Sequence, residues 1–225
     1  MTESVKRRPS GPAGRGQART RLARRAVVGA ARELFLQRGY AATTIDAISG
    51  QSDVPQATVY RLFASKLGIL KALLDASIGG DDQPVPVRER PDVAALFAAP
   101  DPAELLAGMA GITATINQRS NDVYRVLVSA AASDPAAADL LGDIQRQRDQ
   151  GQGQIARALA GRGVLRAGLD EAGAQDLIHA LMAPEVYQLL VIDRHWQPGR
   201  YQQWLASTLV QQLVQRSGPL TDPGG

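Results

Sequence analysis

Helical spacing of apolar residues constrains the fold of this chain more than any other feature of its sequence. Apolar side chains recur every three or four positions in most segments, and no alternation typical of a strand runs for more than a few residues. Aromatic residues make up only 4% of the 225 residues, whereas the strong helix formers Ala, Leu, Gln and Arg are abundant. The sequence therefore predicts an all-α fold.

Start and stop signals divide the first 80 residues into four predicted helices. The first covers residues 19–38, because its apolar stripe begins near Leu22 and Gly39 supplies a C-terminal stop. The next three helices are expected to begin at residues suited to capping or to a first helical turn, namely Thr43 or Thr44, Pro55 and Ser65.

The remainder of the chain is also predicted to be helical. The segments are a short helix at 93–98 and longer ones at 102–119, 122–133, 135–160, 170–192 and 200–216. Residues that accept hydrogen bonds at helix N-termini precede the longer segments, namely Asp101, Asn121, Asp134 and Asp170. Pro184 lies inside one pattern and is expected to kink that helix.

Composition suggests four parts. Residues 1–18 are basic and almost without apolar side chains, so a disordered arm is expected there. Residues 19–79 form a predicted helical domain. The proline-rich stretch 79–100 marks the seam to a second, larger helical domain at 80–217, and residues 218–225 form a predicted flexible tail.

Charge is distributed very unevenly along the chain. Residues 1–66 hold 12 Lys and Arg against 4 Asp and Glu, a net charge of +8, whereas the rest holds 13 against 18, a net charge of −5. A basic end of this kind favours a polyanionic partner. The chain has no cysteine, which fits a reducing compartment, and neither a membrane-spanning run nor a secretory signal is expected. A cytoplasmic protein without a membrane partner is predicted.

Residues 43–66 have the pattern of two short helices joined by a tight turn. Ile45 and Ile48 are expected to pack against an apolar edge of the second helix, formed by Val54, Val59, Leu62 and Phe63. An α-helix fits the major groove of DNA and meets base edges with its N-terminal residues. Side chains able to contact bases or phosphates lie on the outward positions or at helix ends: Thr44, Gln56, Ala57, Thr58, Tyr60, Arg61 and Lys66.

This segment resembles the N-terminal domain of the TetR family of bacterial transcriptional regulators. The matching residues are Gly39-Tyr40, Thr43-Thr44, Ile48, Val54, Thr58-Val59-Tyr60, Phe63, Ser65-Lys66 and Leu70. The resemblance implies an N-terminal three-helix DNA-binding domain with a helix-turn-helix, joined to a larger helical ligand-binding and dimerisation domain. It also implies a homodimer on a palindromic operator in double-stranded DNA, contacted through the seven residues named above.

Three positions depart from the common pattern of the family. Asp53 stands where Gly is frequent, and must therefore adopt a positive φ, which Asp tolerates better than most residues. Pro55 replaces a frequent Ser, and Ala57 replaces a frequent Gly. Neither change breaks the start of the helix. Each could alter which bases are read, so the base preference stays open.

The regulatory half offers a candidate ligand site. Eight residues on apolar faces of predicted helices could line a cavity for an apolar or amphipathic effector: Met109, Ile112, Ile116, Tyr124, Leu127, His179, Met182 and Tyr187. For each of them an ordinary place in a helical core is the competing interpretation. His179 fits a packed or hydrogen-bonded role better than ligand binding.

The last two predicted helices offer a candidate dimer interface. Its residues are apolar or aromatic, a composition typical of interface cores: Leu181, Leu189, Trp204, Leu205, Leu209 and Leu213. The competing interpretation is ordinary packing within one chain.

Two functions remain open. One is a repressor released from its operator by a small-molecule effector, and the other is a dimeric DNA-binding protein without a small-molecule ligand. A helical enzyme finds no support, because the sequence has no cysteine, no clustered histidines, no phosphate-binding glycine loop and no convincing pair of carboxylates. No catalytic residue, metal site or cofactor is therefore expected.

Overall fold

The structure, a computed structural model, describes residues 12–80 and 90–215. These residues are mostly helical, and the strand-like pairing among them is a single isolated bridge between Leu165 and Val214. The all-α prediction is confirmed. The described residues form two compact units divided between Leu74 and Asp75. Residues 1–11 of the predicted arm and the predicted tail at 218–225 lie outside the described residues.

The first unit is built from α1 (Pro12–Ala42), α2 (Ile45–Ser52), α3 (Gln56–Phe63) and the larger part of α4 (Lys66–Gly79). The helix α1 begins at Pro12, so the prediction of disorder as far as residue 18 is wrong for residues 12–18. Helix formers such as Ala13 and Gln17 extend the helix there despite two glycines. Gly39, with φ 78° and ψ 167°, interrupts the helical geometry near the end of α1, where a stop was expected.

The core of the first unit gathers one face of each helix. On α1 the first buried side chain among residues 16–42 is Val27, and the predicted stripe residue Leu22 is 65% exposed. The first turns of α1 thus extend past the core that the rest of the helix covers. The buried apolar residues are Val27, Ala30, Ala31, Leu34, Phe35, Ile48, Val54, Val59, Phe63, Ile69, Leu70, Leu73 and Leu74.

The second unit contains α5 (Pro91–Ala98), α6 (Pro102–Ala131), α7 (Pro135–Gly161), α8 (Glu171–Leu181), α9 (Pro184–Tyr187), a π-helical turn (Gln188–Asp193) and α10 (Pro198–Leu213). The predicted caps Asp101, Asp134 and Asp170 are confirmed, since each side chain accepts a hydrogen bond from a backbone N–H of the following turn. Pro184 begins a new helix instead of kinking a continuous one.

The prediction that Asn121 caps a separate helix is wrong. Asn121 lies inside α6, is 5% exposed, and donates a hydrogen bond from Nδ2 to Oε1 of Gln188 at 2.6 Å. A tertiary partner therefore satisfies this side chain inside the helix, and overrides the local capping preference.

The core of the second unit lies mainly between α6, α7, α8 and α10. Leu205, Leu209 and Leu213 of α10 are completely buried in it, together with Leu105, Leu106, Ile155 and Leu159. These three leucines were predicted at a dimer interface, and that placement is wrong because they have no exposed surface in the single chain. An apolar stripe on a helix can pack either into the core of its own chain or against a second chain. The stripe of α10 packs into the core.

Candidate DNA-reading surface and regulatory interior

The turn between α2 and α3 is fixed by local hydrogen bonds. The Thr44 hydroxyl caps α2 by accepting from the Ala47 N–H at 3.1 Å, as the first-turn pattern predicted. Asp53 adopts the left-handed region, with φ 53° and ψ 33°. Ser49 then closes the turn, because its Oγ donates to the Val54 carbonyl at 2.7 Å.

A small apolar interface holds α3 against the rest of the first unit. Val59 and Phe63 of α3 are buried, as are Ile48 on α2 and Val54 in the turn. This arrangement confirms the predicted apolar edge. Arg24 of α1 adds to it, since its guanidinium lies 4.6 Å from the Phe63 ring centroid and donates to the Leu62 carbonyl at 3.1 Å.

The opposite face of α3 is open to solvent. Gln56, Ala57, Tyr60 and Arg61 are exposed, and their spacing places them on one face of the helix. Tyr60 is 51% exposed, a high value for an aromatic side chain. Thr58 is half-buried at the edge of this face. These side chains offer amide, hydroxyl and guanidinium groups suited to base edges and phosphates.

Lys66 has a more constrained position than its neighbours. Its Nζ donates to the Tyr40 carbonyl at 2.7 Å and lies 4.1 Å from the Tyr40 ring centroid. These contacts fasten the start of α4 to the end of α1, so a phosphate would have to share this ammonium group. Its predicted phosphate contact stays a prediction.

Asp46 and Arg24 also border this surface, although sequence reasoning did not single them out as part of it. Asp46 accepts a hydrogen bond from Nε2 of Gln56 at 2.6 Å across ten residues of sequence, and Arg24 reaches Leu62 across 38. No spacing rule connects residues so far apart. In the sequence, the only indication that Asp46 belongs to this surface was its position in the first helical turn of α2.

The interior of the second unit contains polar atoms that lack partners. Tyr201 on α10 is completely buried, and Asn117 and Asn121 on α6 are about 95% buried. The Tyr201 hydroxyl, Asn117 Nδ2 and Asn121 Oδ1 have no hydrogen-bond partner in the described part of the chain. Burial raises the pKa of Tyr201 to about 12, and an interaction with the Asn117 side chain, whose geometry falls short of a hydrogen bond, lowers it.

The predicted ligand residues are distributed around this interior. Tyr124, Leu127, Met182 and Tyr187 are buried, whereas Met109, Ile112, Ile116 and His179 are half-buried. Tyr187 packs edge-on against Tyr201, with ring centroids 5.1 Å apart. Sequence reasoning chose apolar positions and therefore missed Tyr201, Asn117 and Asn121. The four-residue spacing of the two asparagines, which puts both on one helix face, was the available signal.

Two of the predicted ligand residues have polar partners inside the unit. The Tyr124 hydroxyl donates to Glu185 Oε1 at 3.3 Å, and burial together with the Glu185 charge raises the pKa of Tyr124. His179 Nδ1 lies 2.8 Å from Gln152 Oε1, and its Nε2 lies 3.1 Å from the Arg148 guanidinium. The Gln oxygen only accepts and the Arg guanidinium only donates, so these two contacts fit a proton on Nδ1 and an acceptor at Nε2. The Asp149 carboxylate also lies 3.9 Å from Nδ1.

The remaining predicted dimer residues keep accessible surface. Leu189, in the π-helical turn, is 55% exposed, and Leu181 and Trp204 are half-buried. Trp204 also packs edge-on against Trp196, with ring centroids 6.1 Å apart. The structure thus leaves three of the six predicted residues available for contact with another chain.

Residues 12–80 and 90–215 contain neither a cluster of metal-ligating side chains nor a membrane-spanning helix. Within these ranges no three His, Asp or Glu side chains are grouped so that they could hold a metal ion. No helix in the same ranges is both long enough and apolar enough to cross a membrane.

Known proteins share both the sequence pattern and the architecture. Residues 27–73 match the family model described as bacterial regulatory proteins, tetR family. The HTH-type transcriptional regulator YdeS of Bacillus subtilis (strain 168) is 25% identical over 179 residues, which cover 79% of this chain and 83% of YdeS. This match extends well beyond the helix-turn-helix.

Several solved structures have the same fold. NalD, the secondary repressor of the MexAB-OprM multidrug efflux pump in Pseudomonas aeruginosa, superposes with a TM-score of 0.68 at 18% identity, covering 88% of this chain and 99% of NalD. A complex of SmeT with triclosan gives 0.66 at 16% identity, with 90% and 99% covered. A transcriptional regulator from Saccharomonospora viridis in complex with choline gives 0.64 at 22% identity, with 86% and 98% covered.

The fold and the exposed face of α3 define an all-α transcriptional regulator with an N-terminal helix-turn-helix for DNA binding. Residues 27–73 match the TetR family of bacterial regulatory proteins, and the whole chain has the fold of such regulators.

Proposed function

We propose that this regulator is a homodimeric repressor, released from a palindromic operator by a small-molecule effector. The observation that carries the effector half is the set of buried polar atoms on Asn117, Asn121 and Tyr201 that have no hydrogen-bond partner among the described residues. A buried polar atom without a partner costs free energy, and a ligand that supplies the missing hydrogen bonds recovers it.

The DNA half is supported by the chemistry of α3. Gln56, Ala57, Tyr60 and Arg61 share an exposed face, and Thr58 borders it. Arg61 offers a charged donor to guanine or phosphate, and Thr44 lies at the N-terminus of α2, where the helix dipole favours an anion. The net charge of +8 over residues 1–66 would add sequence-independent attraction to DNA.

The effector half is also supported by relatives of the same fold. SmeT was solved with triclosan, and the regulator from Saccharomonospora viridis with choline. NalD is itself named a repressor. For this chain we propose an apolar or amphipathic ligand that contacts Tyr187, Tyr201 and Asn117, while Leu181, Leu189 and Trp204 contribute to the dimer contact. The protein would act in the cytoplasm, where bacterial DNA lies.

Operator release then follows from linkage. If the effector binds more tightly to a dimer whose two α3 helices do not fit successive major grooves, it lowers the affinity for DNA. DNA must lower the affinity for the effector by the same factor. A ligand with equal affinity for both states would have no effect on DNA binding.

Fluorescence anisotropy over a range of salt concentrations tests the DNA half. The affinity of the purified protein for labelled duplex DNA should fall steeply with salt. If Arg61 contacts a phosphate in each protomer, Arg61→Ala should reduce the salt slope by roughly 1.8, since each contact contributes about 0.9. Arg125→Ala, which removes an exposed guanidinium from α6 in the second unit, is the matched control. Equal slopes for the two variants would contradict the role of Arg61.

Thermal unfolding with a compound panel tests the effector half. Triclosan and choline represent a hydrophobic phenol and a quaternary ammonium ion. A ligand at 100 times its Kd stabilises the folded state by about 2.7 kcal/mol, or roughly 5–10 °C in a chain of this size. The same compound must also lower operator affinity in the anisotropy assay. Compounds that stabilise the protein but leave DNA affinity unchanged would favour a dimeric DNA-binding protein without a small-molecule effector.

A further inference from the structure

The reading face of α3 includes a carboxylate–amide pair that links it to α2. Gln56 is the first residue of α3, and its Nε2 donates to Oδ1 of Asp46 at 2.6 Å. Asp46 lies in the first turn of α2, and both side chains are exposed. The pair therefore lies at the end of α3 that meets base edges when such a helix enters the major groove.

The Asp46 carboxylate determines which way the Gln56 amide faces. A carboxylate at neutral pH only accepts hydrogen bonds, so the amide nitrogen must point toward it and the amide oxygen away. The terminal torsion of a free Gln side chain is broad and has two nearly equivalent orientations, in which oxygen and nitrogen exchange places. Pairing with Asp46 selects one of them before DNA arrives.

The selected orientation keeps both groups that adenine requires. Gln reads adenine by accepting from the N6 amino group with its oxygen and donating to N7 with its nitrogen. The amide nitrogen carries two hydrogens, and Asp46 uses one. The second hydrogen and the whole oxygen remain free. A flipped amide would instead direct a donor at the N6 amino group, where no acceptor exists.

We propose that Asp46 is a positioning residue that orients Gln56 to read adenine at one base pair in each half-site of the operator. This inference rests on the proposed DNA-binding role of α3. Asp46 acts through Gln56 and does not itself contact the base.

The size of the effect follows from the cost of ordering a side chain. Loss of the whole Gln–adenine pair should reduce the preference for A·T at that position about 5- to 150-fold. Loss of the orientation alone should reduce it less, by about 2- to 12-fold, since this is the cost of immobilising one flexible side chain on binding. The removed negative charge should raise affinity for all sequences alike, because phosphate contacts carry no sequence information.

Selection from a pool of duplexes with a randomised core, followed by sequencing, measures base preference at every position. We would compare the full-length protein with Asp46→Ala, Gln56→Ala and the double variant. Asp46→Ala should weaken the preference for A·T at the position that Gln56→Ala abolishes, and should leave the other positions unchanged. In the Gln56→Ala background the additional Asp46→Ala change should have no effect at that position.

Two controls separate orientation from folding and from charge. Asp46→Asn keeps the shape of the side chain but both donates and accepts, so it lets the Gln56 amide pair in either orientation, and should also weaken the preference. Glu33→Ala removes a comparable carboxylate that lies on α1 and accepts a hydrogen bond of 2.6 Å from Gln51. This change should leave every base preference intact. Circular dichroism confirms that each variant is folded.

The possible failures are distinguishable. If the wild-type protein enriches no sequence, the DNA-binding proposal fails and this inference fails with it. If the wild type selects a motif whose A·T preference responds to Gln56→Ala but not to either Asp46 variant, only the inference is overturned. It is equally overturned if the Asp46 variants change a preference for cytosine, because then the carboxylate reads a base directly.

Discussion

Replacing Tyr201 by Phe should stabilise the second unit. The Tyr201 side chain is completely buried, and its hydroxyl has no hydrogen-bond partner among the described residues. Leaving a buried hydroxyl unsatisfied costs about 1–3 kcal/mol. The Phe ring would keep the packing against Tyr187 and Trp204, whose ring centroids lie 5.1 and 6.0 Å away. Tyr201→Phe should therefore raise the free energy of unfolding by about 1 kcal/mol or more.

Urea unfolding monitored by tryptophan fluorescence reports on the second structural unit, where this change is expected. The chain has two tryptophans, Trp196 and Trp204, and both lie in the second unit. Trp204 packs against Tyr201, and Trp196 packs against Trp204. The midpoint concentration should increase while the slope stays constant, because the surface exposed on unfolding hardly changes. Protomer concentration must be held fixed, because the proposed dimer would make the apparent stability depend on it.

Tyr124→Phe is the matched control, with an effect of opposite sign. The Tyr124 hydroxyl donates to Glu185 at 3.3 Å, so its removal should lower the free energy of unfolding by about 1 kcal/mol. If Tyr201→Phe destabilised the protein as much as Tyr124→Phe, the Tyr201 hydroxyl would have a hydrogen-bond partner. That result would refute both the reasoning here and the argument for a ligand at this position.

Three further predictions concern pH and local backbone structure. Unfolded tyrosine ionises near pH 10 but Tyr201 only near pH 12, so the unfolded state holds fewer protons between these values. The contribution of Tyr201 to stability should therefore be complete below pH 10 and fall by about 2 kcal/mol by pH 12. Urea unfolding followed by fluorescence should show a much smaller fall in Tyr201→Phe. Ala64, directly after α3, has a φ of 62°. Ala64→Gly should therefore relieve about 1 kcal/mol of backbone strain and raise the thermal unfolding midpoint of the first unit. An unchanged or lower midpoint would count against this strain. Asp134→Ala removes the acceptor for the Ala136 and Ala137 N–H groups at the start of α7. It should lower the free energy of unfolding, measured in urea, by about 1 kcal/mol. No change would mean that water caps α7 equally well.

Local signals predicted the helix-turn-helix well. Thr44 caps α2 and Ser65 caps α4, since each accepts from a backbone N–H three residues later. Asp53 takes the positive φ that its place in the turn demanded. Such features depend on neighbours within a few residues, which the sequence displays directly.

Predictions failed where a distant partner decided the outcome. Asn121 has the local character of a cap, but Gln188, 67 residues away, satisfies its side chain inside α6. Leu205, Leu209 and Leu213 form an apolar stripe that fits either an interface or a core, and packing against α6 decided for the core. Amphipathic periodicity shows that a face is covered, but does not show by what.

The sequence by itself determined the all-α architecture, the turn between α2 and α3 and the outward set of residues on α3, because these depend on helical periodicity and short-range capping. Only the tertiary structure brought Asp46 to Gln56, and only it enclosed Asn117 Nδ2 and the Tyr201 hydroxyl with no hydrogen-bond partner among the described residues. These arrangements join residues far apart in sequence, and the free energy of such contacts depends on burial and geometry that no local pattern encodes.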